Sequence, residues 1–259
     1  MISVRSGYLF LYINTFLMIL SGLVWKFDYF FISFLLRNYF IMLFINYGTR
    51  NKKSIVEKQV TIEKQFRDPT FVRDHIHVFT STYVESLTHF FIKRYTNTLN
   101  SGTLDFWFLY YFFMFEILLD LFHYLSHRFL HSHPWLYRHI HKKHHYHTNP
   151  TVINTYYHNV MDLIITLSIP TVLSLWIIPY QFSEFQMHLL LVYKSFIEIS
   201  GHCGKQLKPS SCFPICIWLP RLLHIELYTE DHHLHHSQSN CNYSKRFSLW
   251  DKVFGTYCI

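Results

Sequence analysis

The sequence predicts an all-α integral membrane protein, with about four transmembrane helices and a cytosolic helical cap that carries clustered histidines. Half of the 259 residues are apolar and only 15% are charged, whereas soluble domains usually carry about 25% charged residues. Several apolar runs approach the roughly 20 residues that a helix needs to cross a bilayer. Nine of the 20 histidines lie between His123 and His147. Despite the net charge of +7, this composition excludes a disordered or nucleic-acid-coating chain.

Four or five apolar runs are long enough to enter a membrane, and they cover residues 8–25, 29–47, 104–125, 161–178 and 182–199. Only three residues separate the last two runs, which predicts a helical hairpin. Because a hairpin returns the chain to its starting side, the histidines before and after it should face one compartment. The positive-inside rule predicts that this compartment is the cytosol. The basic residues that support this side are Arg128, Arg138, Lys142 and Lys143.

We divide the chain into an N-terminal membrane anchor with a charged connecting segment, residues 1–103, and a histidine-bearing domain, residues 104–259. If the run 104–125 crosses completely, the basic segment that begins at Arg50 would lie on the side away from the histidines. Part of 76–92 could re-enter the membrane, or 29–47 could lie flat at the interface. The sequence leaves the topology of 1–103 open.

The first histidine motif is His123 and His127, which stand four residues apart near the end of the run 104–125. At this spacing the two side chains lie on one face of a helix, with Glu116 and Asp120 close to the same face. Ionisable side chains at membrane depth are costly unless they pair or bind a ligand. The pair is therefore either a metal-ligand pair or two core histidines with internal partners.

Two further motifs each place three imidazoles on one helical face, at positions i, i+3 and i+4. They are His141, His144 and His145, and His232, His235 and His236. The alternative for the first triplet is a solvated basic face, and the same spacing directs His139 and His233 elsewhere. With the first motif, the triplets supply eight imidazoles, whereas one zinc ion takes about four ligands. This number indicates two metal ions with open positions, and imidazole binds iron as well as zinc.

These motifs resemble those of the sterol desaturase / fatty acid hydroxylase superfamily of membrane di-iron oxygenases. Its His-x3-His-Arg box is matched by His123–His127-Arg128, and its two later boxes by the two triplets. An Asn-Tyr followed by Trp-Asp-x-x-Phe-Gly-Thr is matched by Asn242-Tyr243 and by Trp250-Asp251 through Phe254-Gly255-Thr256. The resemblance covers roughly residues 104–257 and implies that 104–259 is a fatty acid hydroxylase-like di-iron domain.

The resemblance implies that the eight box histidines bind metal. Some members carry a further His-x3-His before the last box, which stands here as Glu198-x3-His202. His202 is therefore a candidate ninth ligand or else a histidine at a helix end. Five residues are candidates for orienting the ligands without binding metal: Glu198, His131, His158, Asp231 and Asn242.

The implied activity is O2-dependent hydroxylation or desaturation of a lipid, either a sterol or a fatty acyl or sphingoid chain, in the endoplasmic reticulum membrane. It would use two Fe ions, with Zn possible in purified protein, and electrons from NAD(P)H through a reductase and a cytochrome of the b5 type. The chain contains no Gly-x-Gly-x-x-Gly dinucleotide motif. The alternatives are a His-rich membrane metal-binding or transport protein, and a zinc-dependent lipid hydrolase with Glu116, Asp120 or Asp231 as general base. The reaction outcome and the lipid remain open.

Overall fold

A computed structural model describes residues 4–56, 70–95, 101–207 and 213–259. Long helices dominate the described residues, and the extended pairing among them is a single bridge between Ser54 and Lys205. The long helices are α1 (Val4–Lys26), α2 (Phe31–Thr49), α3 (Thr70–Tyr95), α4 (Phe106–Ser132), α5 (Val160–Ile177) and α6 (Glu184–Gly201). The predicted all-α fold is confirmed.

Four of these helices are long and apolar enough to cross a membrane: Gly7–Lys26 of α1, and α2, α4 and α5. The predicted number of transmembrane helices is thus confirmed. The predicted run 182–199 corresponds to α6, whose residues from Phe185 to Ile199 are all buried within the protein. Helix α6 is therefore the buried helix of the bundle, and it packs against α1, α2 and α4.

Local sequence signals fix where several helices begin and end. Asp105 caps α4, because its carboxylate accepts the N–H of Phe108 at 3.0 Å. Helix α4 ends at Ser132, just before a His-Pro pair that disfavours further helix. Ser183 and Gln186 form a capping box at the start of α6.

The long helices run alternately between two ends of the bundle. The end that contains the histidine motifs, at the C-termini of α4 and α6, is called the histidine end, and the other the distal end. Helix α3 starts at the histidine end, where Arg73 lies 5.0 Å from the ring of Tyr157, and finishes at the distal end, where Lys93 pairs with Asp28. Helix α3 therefore runs the length of the bundle within the described residues.

The basic stretch after α2 lies at the histidine end. The N–H of Ile55 donates to the carbonyl of Gly204 at 3.0 Å, and that of Gln206 donates to Lys53 at 2.9 Å. These bonds hold the segment 50–56 beside the end of α6. The sequence alternative that placed Arg50 on the side away from the histidines is therefore wrong.

Short helices build the predicted cap at the histidine end. After α4 these are Pro134–Leu136, a π-helical turn Tyr137–His141, and 3-10 turns His144–Tyr146 and Val152–Tyr156. The C-terminal part contributes α7 (Thr229–Gln238) and α8 (Leu249–Val253). Pro134 begins the first of these, as expected for proline at a first helical turn.

A chain of buried ion pairs crosses the middle of the bundle. Three bases and three acids alternate along it, in the order Arg37, Glu85, Lys194, Glu198, Arg246 and Glu116. Buried charges are costly unless paired, and here each charge has an opposite neighbour. This pairing explains how α2 tolerates the arginine that interrupts its apolar run. Since Arg246 belongs to the segment between α7 and α8, the chain also ties the cap to the bundle.

Candidate metal centre

Nine histidines form two adjacent groups at the histidine end. The first group contains His127, His131, His141, His145 and His235. The second group contains His144, His202, His232 and His236. Within each group, one ring nitrogen per residue lies within 4.8 Å of the others.

In the first group the Nε2 atoms face one another. The Nε2 of His127 lies 2.9 Å from that of His141 and 3.0 Å from that of His235, and the Nε2 atoms of His141 and His145 are 3.1 Å apart. Nitrogen ligands at about 2.0–2.1 Å from a metal ion stand about 3 Å apart. The first group therefore has the spacing of a metal site.

The other ring nitrogen of these histidines is held by an acceptor. The Nδ1–H of His127 donates to the carbonyl of Tyr243 at 2.8 Å, and that of His235 donates to the carbonyl of Cys241 at 2.7 Å. The Nδ1–H of His141 donates to the carboxylate of Asp162 at 2.9 Å. A proton on Nδ1 leaves a lone pair on Nε2, so these contacts select the tautomer that binds metal.

The motif Asn242-Tyr243 shapes the backbone that provides two of these acceptors. Asn242 has φ of 55°, and its side chain bonds to the backbone of Asp231 and of Cys258. The carboxylate of Asp251 accepts the N–H of Tyr243 at 2.8 Å. The downstream signature thus holds the turn that directs the carbonyls of residues 241 and 243 toward the imidazoles.

The second group is held less firmly. The Nδ1–H of His202 donates to the carbonyl of Glu198 at 2.8 Å, and its Nε2 lies 3.1 Å from that of His232. By contrast, Nδ1 of His144, Nδ1 of His232 and both ring nitrogens of His236 are buried without a hydrogen-bond partner. Burial lowers the pKa of His202 to about 3 and that of His236 well below its usual value. Neutral, buried and unpartnered imidazoles suit a metal ion.

Each triplet contributes to both groups. On a helix, positions i, i+3 and i+4 span about 100° of one face, so their rings can reach two adjacent groups. The first triplet does not lie on one helix, contrary to the sequence prediction, because His141 ends a π-helical turn and His144 begins a 3-10 turn. His141 and His145 enter the first group and His144 the second; His232 and His236 enter the second and His235 the first. The groups adjoin, with ring centroids 4.6 Å apart for His144 and His236 and 5.0 Å for His145 and His236. The exposed His139 and half-buried His233 lie outside both.

Two histidines, His123 and His131, take places that differ from the sequence interpretation, whereas His158 lies outside both groups as expected. His123, expected as a ligand, lies beside the first group but outside it, and its Nδ1–H donates to the carbonyl of Thr166 at 2.8 Å. His131, expected to orient a ligand, lies inside the first group. His158 stacks on His144 with ring centroids 4.2 Å apart, and its Nδ1–H donates to Asp162.

The remaining candidates for orienting ligands act through the backbone. The carbonyl of Glu198 holds His202, whereas its carboxylate pairs with Lys194 and Arg246. Asp231 accepts the N–H of Tyr228 at 2.9 Å and closes the capping box of α7.

Sequence reasoning missed Asp162, a fully buried residue whose two oxygens accept from His141 and His158. The spacing of His158 and Asp162, four residues apart, was the signal that could have identified it. Asp120 was noticed as an acid near the first motif. It accepts three backbone N–H bonds, from Lys245, Arg246 and Phe247, and so anchors the segment after Tyr243.

An apolar cavity of about 270 Å³ adjoins the second group. It lies between α1, α2 and α6, and its walls include Tyr12, Phe44 and Phe196. His232 and Lys245 line it on the side of the metal-binding candidates. An apolar space with a few polar groups at one end is typical of a binding site for an apolar small molecule.

Comparison with known proteins identifies the family. The sequence model of the fatty acid hydroxylase family matches residues 112–256. The fatty acid hydroxylase vlmA of Lecanicillium sp. is 31% identical over 158 residues, which are 58% of this chain and 42% of that protein. Human cholesterol 25-hydroxylase is 28% identical over 145 residues, 54% of this chain and 48% of that protein.

A very-long-chain aldehyde decarbonylase, GL1-5 of Oryza sativa subsp. indica, is 30% identical over 141 residues, 53% of this chain and 22% of that protein. The chain thus spans about half, or less, of the length of these relatives, and no solved structure matches it. The family match covers more than half of the chain and includes the three histidine motifs. The resemblance seen in the motifs is confirmed, and the chain belongs to the fatty acid hydroxylase family.

Proposed function

We propose that this protein is an O2-dependent lipid hydroxylase or desaturase in which each histidine group holds one metal ion, iron in the active state. The spacing of the Nε2 atoms and the unpartnered nitrogens of His236 support two metal ions. Zinc would occupy the same imidazoles in purified protein, since zinc binds such sites at least as strongly as iron(II). The related hydroxylases support hydroxylation of a lipid.

The observation that carries the proposal is that His232 belongs both to the second group and to the wall of the apolar cavity. A lipid chain in that cavity would therefore end beside the metal-binding imidazoles. Bound iron would supply O2 activation and the oxidation of an unactivated C–H bond, which amino-acid side chains cannot perform.

The residues of the chain would hold and align the reactants. The carbonyls of Cys241 and Tyr243 and the carboxylate of Asp162 would keep the first-group rings in their metal-binding tautomer. The aromatic walls formed by Phe44 and Phe196 would exclude water and limit where the lipid can lie.

A basic depression above the first group suits an acidic electron donor. It has a volume of about 450 Å³, and Arg138, Lys142 and Lys143 line it together with His145. Charge complementarity would favour docking of an acidic protein such as a cytochrome of the b5 type, itself reduced from NAD(P)H. From the sequence, Lys205 is a further candidate for such a docking surface, but it is partly buried and donates to Ser54 at 2.8 Å.

We also propose that the protein lies in the endoplasmic reticulum membrane, with its histidine end in the cytosol. The basic residues around Arg50 lie at that end, as the positive-inside rule requires for a cytosolic face. We also propose that residues 104–259 form the di-iron domain. Residues 1–103 would do more than anchor it, because α1 and α2 supply two walls of the cavity.

The experiment is expression of the full chain in a host of defined lipid composition, followed by mass spectrometry of sterols, sphingoid bases and acyl chains. We expect a hydroxylated or newly unsaturated lipid, absent with the variant His144→Ala/His145→Ala, which removes one imidazole from each group. The control His139→Ala changes an exposed histidine and should retain the product. A product that persists in the double variant, or no oxidised lipid with metal-loaded, reductant-supplied protein, would contradict the proposal.

A further inference from the structure

A third group of candidate metal ligands lies at the distal end, far from the histidine motifs. It consists of Asp28 in the connection between α1 and α2, His89 on α3, and His188 on α6. His188 stands 14 residues before His202 on the same helix, which corresponds to about 21 Å at 1.5 Å per residue. The distal group is therefore separate from the two histidine groups.

The imidazoles of the distal group are deeply buried and lack partners. His89 is 3% exposed and His188 is 2% exposed. Both ring nitrogens of His89 and the Nδ1 of His188 have no hydrogen-bond partner. Buried polar atoms are ordinarily paired, so three orphaned nitrogens in one place need an explanation. Phe30 and Phe34 pack against the His89 ring and offer no acceptor.

The ligand atoms of the three residues converge. One atom from each lies within 4.8 Å of the others, and the Nε2 of His188 lies 3.6 Å from the Oδ2 of Asp28. The cavity beside His89 and His188 measures about 10 Å³, room for an ion or a water molecule and too small for an organic ligand.

We propose that Asp28, His89 and His188 bind a third metal ion, of the zinc class, that joins the N-terminal helices to the buried helix α6. Two imidazoles and one carboxylate are a donor set that zinc accepts, with the remaining position open to water. Ligands in a tetrahedral zinc site, at about 2.0–2.1 Å from the ion, would stand about 3.3 Å apart, so the side chains must approach by up to about 1.5 Å on binding. The ion would link the α1–α2 connection, α3 and α6, and so hold two walls of the lipid cavity to the rest of the bundle.

Lys93 is the competing cation. Its ammonium lies 3.2 Å from Asp28 and 3.2 Å from Glu184. The Lys93 side chain is 35% exposed, so it can turn toward Glu184 and water when a metal ion takes the Asp28 oxygen. Removing Lys93 should therefore leave zinc binding at the distal group intact or strengthen it. If Asp28 only formed an ion pair with Lys93, the distal group would bind no zinc in either protein.

The test is the zinc content of the detergent-purified full chain after stripping with a chelator and reloading with ZnCl2. His89→Gln and His188→Gln should each hold about one zinc per chain less than wild type, and Asp28→Asn should weaken that ion's binding at least about tenfold. His75→Gln, also on α3 but outside all three groups, is the matched control and should keep the wild-type content. His144→Ala/His145→Ala disrupts the two histidine groups and should keep the distal ion, which separates this inference from the proposed function.

A second measurement covers variants that fold poorly. Zinc should raise the thermal unfolding midpoint of Lys93→Met at least as much as that of wild type, and less for His188→Gln. Wild-type zinc content in His89→Gln and His188→Gln, or loss of about one zinc on Lys93→Met, would overturn the proposal.

Discussion

The two histidine groups at the histidine end differ in how their rings are held. In the first group, the Nδ1 atoms of His127, His141 and His235 each contact a carbonyl or a carboxylate. In the second group only His202 has such a contact, and both nitrogens of His236 are unpartnered. Acceptors behind a ligand fix its ring and raise its basicity. The first site is therefore preorganised, whereas the second would be completed largely by its metal ion.

The firmly held first group and the loosely held second group also lie in different surroundings. The second group shares His232 with the wall of the apolar cavity, and the first lies beneath the basic depression that His145 lines. A loosely held site beside a lipid cavity can adjust to its substrate, and a firmly held site beneath the donor surface would keep its geometry during electron delivery.

The largest loss of lipid oxidation is expected when a second-group histidine on α7 is removed, and a neighbouring histidine on the same helix supplies the control. His236→Ala removes a second-group imidazole. We expect lipid oxidation to fall at least 100-fold and the metal content to fall by about one ion per chain. His233→Ala removes a half-buried histidine outside both groups and should keep most of the activity. Lipid turnover and metal content are measured on the same preparations. Turnover above about a third of wild type in His236→Ala would show that this ring is structural.

Asp162→Asn tests the acceptors of the first group. The substitution keeps the shape but removes the charge that holds His141 and His158. Loss of such a partner typically costs about 10–100-fold in metal affinity or activity, and we expect an effect in that range. Metal affinity is measured by competition with a chromophoric chelator. Unchanged affinity would mean that the carboxylate only packs against the rings.

Chelator kinetics compare the groups directly. The protein used is the variant His188→Gln, which lacks a ligand of the proposed distal ion, so that the chelator removes metal only from the two histidine groups. Metal should then leave in two phases that differ at least about tenfold in rate. The fast phase should belong to the second group and disappear from His236→Ala. Release in a single phase, or loss of the slow phase in that variant, would contradict the assigned difference.

The smallest effect concerns the turn that supplies the first group's acceptors. Asn242 is fully buried at φ 55°, a left-handed conformation that costs most residues other than glycine, asparagine and aspartate about 1–2 kcal/mol. Asn242→Gly loses the side-chain hydrogen bonds, and Asn242→Ala loses them and adds strain. Alanine should therefore lower the free energy of unfolding by about 1 kcal/mol more than glycine does. Equal destabilisation in denaturant titrations would show that the backbone conformation contributes little.

Much of the fold could be predicted because it depends on local patterns. Apolar length identified α1, α2, α4 and α5, and helical spacing identified the two triplets. The role of α3 was not predictable, because its mean hydropathy is low and its path depends on contacts with residues 36 to 110 positions away along the chain. For the same reason Arg37 looked like an interruption, although Glu85 on α3 pairs with it.

The sequence could predict most of the residues that form the site, but not how they divide between the two histidine groups. His123, His127 and His131 follow one row of α4 at equal spacing, so the sequence cannot say which of them reach the other rings. That choice depends on how far α4 extends past the turn Tyr137–His141 and past α7, and the structure groups His127 and His131. Asp162 escaped notice because its partner His141 lies 21 residues away.

The central claim is that the two histidine groups each hold one metal ion. An anomalous difference map, recorded at the iron edge from crystals of iron-loaded protein, tests it most directly. We predict one peak among His127, His131, His141, His145 and His235, and a second among His144, His202, His232 and His236. A single peak shared by the two groups, or no peak within them, would contradict the claim.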